Sequence, residues 1–248
     1  MKKTILITGG GRGIGAACAT LAAQRGYQVC INYLTDEAAA TKVVDAINEG
    51  GGAAVALQAD VADEGQVERM FQSVDARFGR LDALVNNAGI LSRQMRVEQM
   101  SGARIHRIMA TNVVGAILCA REAVRRMSTG HGGAGGAIVN VSSRAAVLGS
   151  PNEYVDYAAS KAAVDALTIG LSKEVAHEGI RVNGVRPGLI DTDMHASGGE
   201  PGRVARLAPM VPMGRGGRPL EVAHAVLWLL SDEASYTTGS FIDVAGGR

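Results

Sequence analysis

Apolar positions along the chain recur with two different periods. Short runs rich in β-branched residues punctuate it: Thr4–Ile7, Val29–Ile31, Ala53–Leu57, Ala83–Val85, Ala137–Val141, Ile180–Val182 and Phe241–Val244. Between them lie longer segments whose apolar residues fall three or four apart, as in Val67, Met70, Phe71, Val74 and Phe78. The first pattern is that of buried strands and the second that of helices with one covered face. Their alternation predicts an α/β chain: a single Rossmann-type domain over 1–248, with a doubly wound parallel sheet of about seven strands flanked by helices. Two segments break the rhythm. Gly130–Gly136 reads as a flexible turn before the fifth strand. Pro187–Pro219, rich in Gly, Pro and Met, lacks a strand pattern, and its part 189–218 reads as a substrate lid because it follows a strand's carboxyl end.

Composition narrows the function classes. The chain has 248 residues, 47% hydrophobic and 20% charged, and a net charge of +1. That suits one sizeable core and gives no electrostatic basis for holding nucleic acid. No apolar stretch reaches the roughly 20 residues of a membrane span. The run after Met1-Lys2-Lys3 stops at Thr8, short of a signal peptide's core. Cys18, Cys30 and Cys119 form no C-x-x-C and read as reduced core thiols of a cytoplasmic protein. The histidines are scattered without ligand spacing, so no metal is expected.

Chemistry enters at the first strand's end, with Thr8-Gly-Gly-Gly-Arg-Gly-Ile-Gly15 ahead of an Ala-rich helix over Ala16–Arg25. Gly9, Gly11, Gly13 and Gly15, with Ile14 between the last two, allow a sharp turn. Backbone N–H groups there can approach a pyrophosphate at the helix N-terminus. An NAD site usually carries an acid at the tip of the second strand. Here that tip reads Ile31-Asn32-Tyr33-Leu34, while Asp36 and Glu37 fall at the next helix start, with Thr35 as its expected cap. Arg12 inside the glycine turn can pair with a 2′-phosphate. Charge therefore favours NADP(H) over NAD(H).

Tyr157 and Lys161 stand four apart at the start of a helical pattern running to about Glu178, and so share a face. A free phenol has a pKa of about 10 and must lose about three pH units to act near neutrality. A nearby ammonium has the right sign. Ser143 ends the fifth strand, with Ser142 as the fallback, and Asn112 sits in a helical stretch where Asn is unfavourable without a task. Tyr154 is a rival phenol, but no Lys stands four residues beyond it.

Thr8-Gly-x-x-x-Gly-x-Gly15, Asp60-Val61, Asn86-Asn87-Ala88-Gly89, Asn112, Ser143, Tyr157-x-x-x-Lys161 and Pro187-Gly188 occur in this order. On these motifs the chain resembles the short-chain dehydrogenase/reductase family over essentially its whole length. The resemblance implies hydride transfer between a nicotinamide and a carbonyl or alcohol substrate, and a homotetramer. It implies that Tyr157 donates or accepts the proton, and that Lys161 lowers its pKa and holds the nicotinamide ribose. Ser143 would bind the substrate oxygen, and Asn112 would anchor a water. On the cofactor side it implies Asp60 and Val61 at the adenine, and Asn86 to Gly89 along the adenine ribose. Pro187, Gly188, Ile190 and Thr192 would lie by the carboxamide or phosphates, with Asn32 beside the adenosine half. One departure stands out: 14 residues separate Ser143 from Tyr157, one more than is usual in this family, which implies an extra residue in the 144–156 loop.

Within the family the chain is similar both to 3-oxoacyl-carrier-protein reductases and to glucose-type sugar dehydrogenases. Arg121, Arg125 and Arg126 form a basic set of the kind a carrier protein would meet, whereas Ala176–Gly179 lacks a cation that such reductases often carry. Asn152, Tyr154, Met194 and His195 are candidate substrate contacts. Val222–Leu230 and the end 241–248 read as core or interface. A binding protein without turnover is the alternative from another class. The complete set Asn112, Ser143, Tyr157 and Lys161 argues against it.

Overall fold

The computed structural model describes residues 2–248. Strands β1 (Thr4–Ile7), β2 (Gln28–Tyr33), β3 (Ala53–Gln58), β4 (Ala83–Asn86), β5 (Gly136–Val141), β6 (Ile180–Pro187) and β7 (Phe241–Val244) form one sheet. Every pairing is parallel, in the order β3-β2-β1-β4-β5-β6-β7. The winding direction reverses between β1 and β4, which opens a crevice beyond their carboxyl ends.

Both faces of the sheet are covered, and this is why its strands read as continuous apolar runs. Ile5, Ile7, Val85 and Val139 face α1 (Gly13–Gln24), α2 (Glu37–Glu49) and α10 (Pro219–Leu230). Leu6, Leu84 and Ile138 face α3 (Glu64–Phe78), α5 (Gly115–Met127) and the carboxyl end of α7 (Val155–Val175). Helix α4 (Gly102–Met109) runs into α5 through a π-helical turn, Ala110–Val114. The stripe Val222–Leu230 is largely core, with Val222, Val226 and Leu229 buried, while Leu220 and Trp228 stay exposed. No helix among the described residues is long and apolar enough to cross a membrane. The three cysteines are free and buried, and burial pushes each thiol up to about 12.

Several local expectations change. The first helix begins at Gly13 rather than Ala16, so the glycine turn itself supplies the first helical turn. Asp36, not Thr35, caps α2: its carboxylate accepts the Ala39 N–H at 3.0 Å. Gly130–Gly136 divides in two: Gly130 to Gly132 are exposed, as expected of a turn, whereas Gly133, Gly135 and Gly136 pack closely. A Cβ at Gly133 would lie 2.4 Å from the Arg126 carbonyl, and one at Gly136 2.5 Å from Met127 Sδ. Strand β6 extends to Pro187, which pairs in register with Val244 on β7.

The segment expected to be irregular is a folded excursion. Ile190 bridges Gly217, and two backbone hydrogen bonds of 2.8 Å close its neck. Helices α8 (Met194–Ser197) and α9 (Arg203–Leu207) lie beyond it, and Leu189, Leu207 and Val211 form a small core of their own.

An enclosed ion pair joins α4 to α7. The Arg104 guanidinium donates to both carboxylate oxygens of Asp156, at 2.6 and 3.1 Å, and the two side chains are only 8% and 3% exposed. The same guanidinium donates to the Arg93 carbonyl, and Asp156 also accepts the N–H of Tyr157 at 2.9 Å.

Candidate active site

The floor of the crevice is made by two turns that clasp each other. Thr8, after β1, accepts the N–H groups of Asn87 and Ala88 on its Oγ1, each at 3.0 Å. Asn87, after β4, donates back to the carbonyls of Thr8 and Gly9 at 2.9 and 3.0 Å. The glycines here leave no room for side chains. Gly9 has φ +63° and faces the Ala88 backbone, and a Cβ at Gly15 would meet the Gly9 carbonyl at 2.3 Å. Gly11 packs on the start of α2 and Gly13 on Thr192. Ile14, between Gly13 and Gly15, packs against the core behind the turn. The result is a bare backbone cradle at the amino end of α1, the arrangement a dinucleotide pyrophosphate fits.

The other cofactor candidates divide into those at the crevice and those behind it. Arg12 is exposed and forms no ion pair among the described residues. The tip of β2 itself supplies no acid: Leu34 after it is exposed, and Glu37 at the start of α2 is engaged with the Tyr33 phenol. Asp60 is half-buried, with Oδ1 accepting the Ala62 N–H at 2.9 Å. Val61 packs against Gly115. Asn32 and Asn86 face inward. Asn32 donates to the Ala59 carbonyl at 2.9 Å and accepts the Gly9 N–H at 3.3 Å, which braces the glycine turn from behind. Asn86 donates to Ala116 O and Asn140 Oδ1, both at 3.0 Å. Gly188 lies so near Ala245 that a Cβ would meet its Cα at 2.7 Å, and Pro187 and Ile190 lie on either side of the excursion's neck.

Asn112, Ser143, Tyr157 and Lys161 are brought to the adjoining stretch of sheet edge. The π turn carries Asn112, which is 1% exposed. Its Oδ1 accepts the Ile90 N–H at 2.8 Å, and its Nδ2 donates to the Ile90 carbonyl and to Ser160 Oγ. Ser160 in turn donates to the Tyr157 carbonyl at 2.7 Å. Lys161 Nζ donates to the Val141 carbonyl at 2.8 Å. A Cβ on Gly89 would touch Lys161 Nζ at 3.3 Å and Asn112 Oδ1 at 3.5 Å, so these three residues meet at one point. Ser142 is buried and donates to the Lys161 carbonyl, whereas Ser143 is half-buried and borders the Tyr157 phenol. Of the two serines, Ser143 is the one beside the phenol.

The proton balance differs from the one the spacing suggests. Lys161 Nζ lies 5.8 Å from the Tyr157 ring centre. Burial pushes the phenol up to about 12, opposed by the Ser143 hydroxyl, and pushes the Lys161 ammonium down to about 8. The Lys161 ammonium, held on the Val141 carbonyl, is not among the groups that move the phenol. Burial thus favours the neutral phenol at Tyr157.

The loop between Ser143 and Tyr157 forms α6 (Ala145–Leu148), followed by left-handed Ser150 and Asn152, φ 45° and 62°. Tyr154 is buried under the Arg203 guanidinium, 5.1 Å from its ring centre, and is not placed as a rival to Tyr157. His195 also faces inward, with Nε2 hydrogen-bonded to the Ile190 carbonyl at 2.8 Å, and burial lowers its pKa. Met194 beside it is half-buried. Ser160 and the Arg104–Asp156 pair have no warning in the sequence beyond Ser160 lying between Tyr157 and Lys161. Arg121, Arg125 and Arg126 are engaged by Glu64, Glu68, Asp75 and Glu122, so the basic set is internally neutralised.

A family model described as "Enoyl-(Acyl carrier protein) reductase" matches residues 9–248. An uncharacterized oxidoreductase of Escherichia coli K12, YgfF, is 61% identical over 243 residues, covering 98% of each chain. A 3beta-hydroxysteroid dehydrogenase of Eggerthella lenta is 39% identical and covers 99% of this chain and 93% of its own. Among solved structures, a 3-ketoacyl-(acyl-carrier-protein) reductase of Brucella melitensis complexed with NADH superposes with a TM-score of 0.92. It is 33% identical, and the match covers 99% of this chain and 98% of that one.

Proposed function

Because the chain belongs to the short-chain dehydrogenase/reductase family and is an oxidoreductase that binds a nicotinamide cofactor and acts on hydroxyl or carbonyl groups, we propose that it catalyses reversible, NADP(H)-linked hydride transfer with Tyr157 as its acid and base. The observation that carries this reading is the meeting of Gly89, Asn112 and Lys161 beside Tyr157, at the edge of the glycine cradle. Gly9, Gly11, Gly13, Ile14 and Gly15 hold the pyrophosphate, Asp60 and Val61 the adenine side, and Ala88 and Gly89 the ribose side. Pro187, Gly188, Ile190 and Thr192 border the nicotinamide half. Asn32, Asn86 and Asn87 act from behind by fixing the two turns. The nicotinamide supplies or accepts the hydride. Ser143 orients the substrate oxygen, Tyr157 hands it a proton, and Lys161 passes the replacement proton to Tyr157 from the side of the Asn112 turn. The protonated phenol suits carbonyl reduction at neutral pH.

The choice of NADP(H) rests on the unpaired Arg12 and on a β2 whose end, Asn32-Tyr33 followed by Leu34, carries no acid of its own. Arg12→Ala is expected to weaken NADPH binding about tenfold or more while leaving NADH binding nearly unchanged, read by fluorescence titration. Equal losses for both, or tighter binding of NADH by wild type, would overturn the assignment. A panel of ketones, ketoacyl thioesters and sugars tests turnover.

The 189–218 excursion acts as the lid. Arg203 on α9 donates to both oxygens of Glu153, and Glu200 joins Arg203 to Gln94. The lid is thereby fastened to both loops that border the substrate side. A carrier-protein substrate draws support from the reductase relatives, but the neutralised Arg121, Arg125 and Arg126 give it little at the surface. Exposed Val114, Ile117 and Ile169 on the α5–α7 side, and Leu220 and Trp228 on α10, provide two apolar faces for a homotetramer. Light scattering at micromolar concentration should return four times 25.6 kDa; a monomer's mass would reject this. Three buried free thiols suit a cytoplasmic setting.

A further inference from the structure

The buried stripe of α7 that carries Tyr157 and Lys161 continues one turn further to Asp165, four residues beyond Lys161. At that spacing the carboxylate and the ammonium lie on the same face. Asp165 is 8% exposed, and its two oxygens differ. Oδ2 accepts the Arg186 Nε–H from β6 at 2.9 Å, while Oδ1 is buried and has no hydrogen-bond partner. Arg186 continues outward: its guanidinium stacks 3.9 Å from the Phe241 ring centre and approaches Asp243 on β7. Asp243 is paired in turn with Arg144, the residue after Ser143. A chain of alternating charges thus runs from the Ser143 loop, through the carboxyl ends of β7 and β6, to the underside of Lys161.

We propose that Asp165 is a positioning residue for the reaction: anchored by Arg186, its carboxylate keeps the Lys161 ammonium charged and aimed at the site. The inference rests on the reading of Lys161 as part of the active site. A carboxylate is needed because Lys161 sits in an interior that otherwise discharges it. Its one hydrogen-bond acceptor is the neutral Val141 carbonyl. The groups presented to it are Tyr157 and Asp165 on its own helix and neutral Asn112 and Gly89 from the π turn and the β4 turn. Arg186 and Asp243 stand behind Asp165 on β6 and β7. Asp165 is the negative charge of this set nearest in sequence and face, and it opposes the downward push of burial on Lys161.

Removing the negative charge makes the ammonium easier to discharge, so Lys161 should titrate at lower pH. Asp165→Asn keeps the shape and an acceptor for Arg186. With side-chain-labelled lysine and Lys161→Arg to assign its resonance, NMR titration of Asp165→Asn should place the Lys161 midpoint about one pH unit below wild type. Arg186→Gln, which leaves the carboxylate to Lys161 alone, should move it upward. In the turnover assay the basic limb of kcat/KM for carbonyl reduction should fall with the NMR midpoint in Asp165→Asn. Unchanged midpoints in both variants, or shifts of one sign in both, would overturn the proposal. Because the titration needs no substrate, a shifted midpoint without turnover would instead count against the oxidoreductase assignment and leave the Asp165–Lys161 coupling standing. Should Asp165→Asn fail to fold, Arg186→Gln alone decides: an unmoved or lowered midpoint refutes the coupling.

Discussion

Replacing Tyr157 by Phe will lower turnover by about 10²–10⁴-fold while leaving NADPH affinity near that of wild type. In the proposed mechanism the phenol is the acid; burial raises its pKa, and Ser143 borders it. The substitution removes one hydroxyl and no packing. The backbone of Tyr157 stays fixed by Asp156 and Ser160, so the ring should not wander. Steady-state rates on any accepted carbonyl substrate, beside a cofactor titration, check this. Tyr154→Phe is the control, because its ring is buried under the Arg203 guanidinium and no lysine stands four residues beyond it. A Tyr157→Phe protein keeping more than a tenth of the activity would remove the phenol from the mechanism.

The second large effect is on stability. Arg104→Met leaves the Asp156 carboxylate enclosed without its cation, and breaking a buried pair in this way costs about 3–5 kcal/mol. In a chain of this size that corresponds to a fall of about 10 °C in Tm. Removing both charges is a milder change, because no bare ion is left inside. Arg104→Met with Asp156→Asn should therefore recover most of the loss, the Asn oxygen still receiving the Tyr157 N–H. Calorimetry on the single and double variants measures the difference. A single variant as stable as wild type, or a double variant worse than the single, would contradict this account.

The parts of the molecule legible in the sequence are those whose signal is local. Tyr157 and Lys161 share a face because helical period puts residues four apart together. The strands show because burial on both sides demands unbroken apolar runs. The glycine turn shows because its geometry tolerates no Cβ. What escaped depends on partners far apart in the chain. Asn112 is legible as an oddity, but its engagement of Ile90 and Ser160, 22 and 48 residues away, is a product of tertiary packing. The balance at Tyr157 went the other way for the same reason. Spacing supplies the sign of a nearby ammonium, but it carries no information on how deeply the phenol is desolvated or on Val141 engaging the lysine. The excursion after β6 hid its order because its helices are four and five residues long, too short to display a period. Thr35 and Asp36 are both good caps, and only the backbone distinguishes them.

The widened turn at Ala110–Val114 has a consequence for how this chain can change. A π turn holds one residue more than the regular helix would, so every position after it is rotated by about 100° from where an uninterrupted α-helix would place it. Cys119, Ala123 and Met127 reach the sheet only with that rotation in force. Deleting the surplus residue would leave two intact helices and swing this face off the core, while no substitution can restore a regular turn without the same swing. The bulge is fixed in place by everything packed downstream of it, and mutation can reach a regular helix here only by rebuilding α5 at the same time.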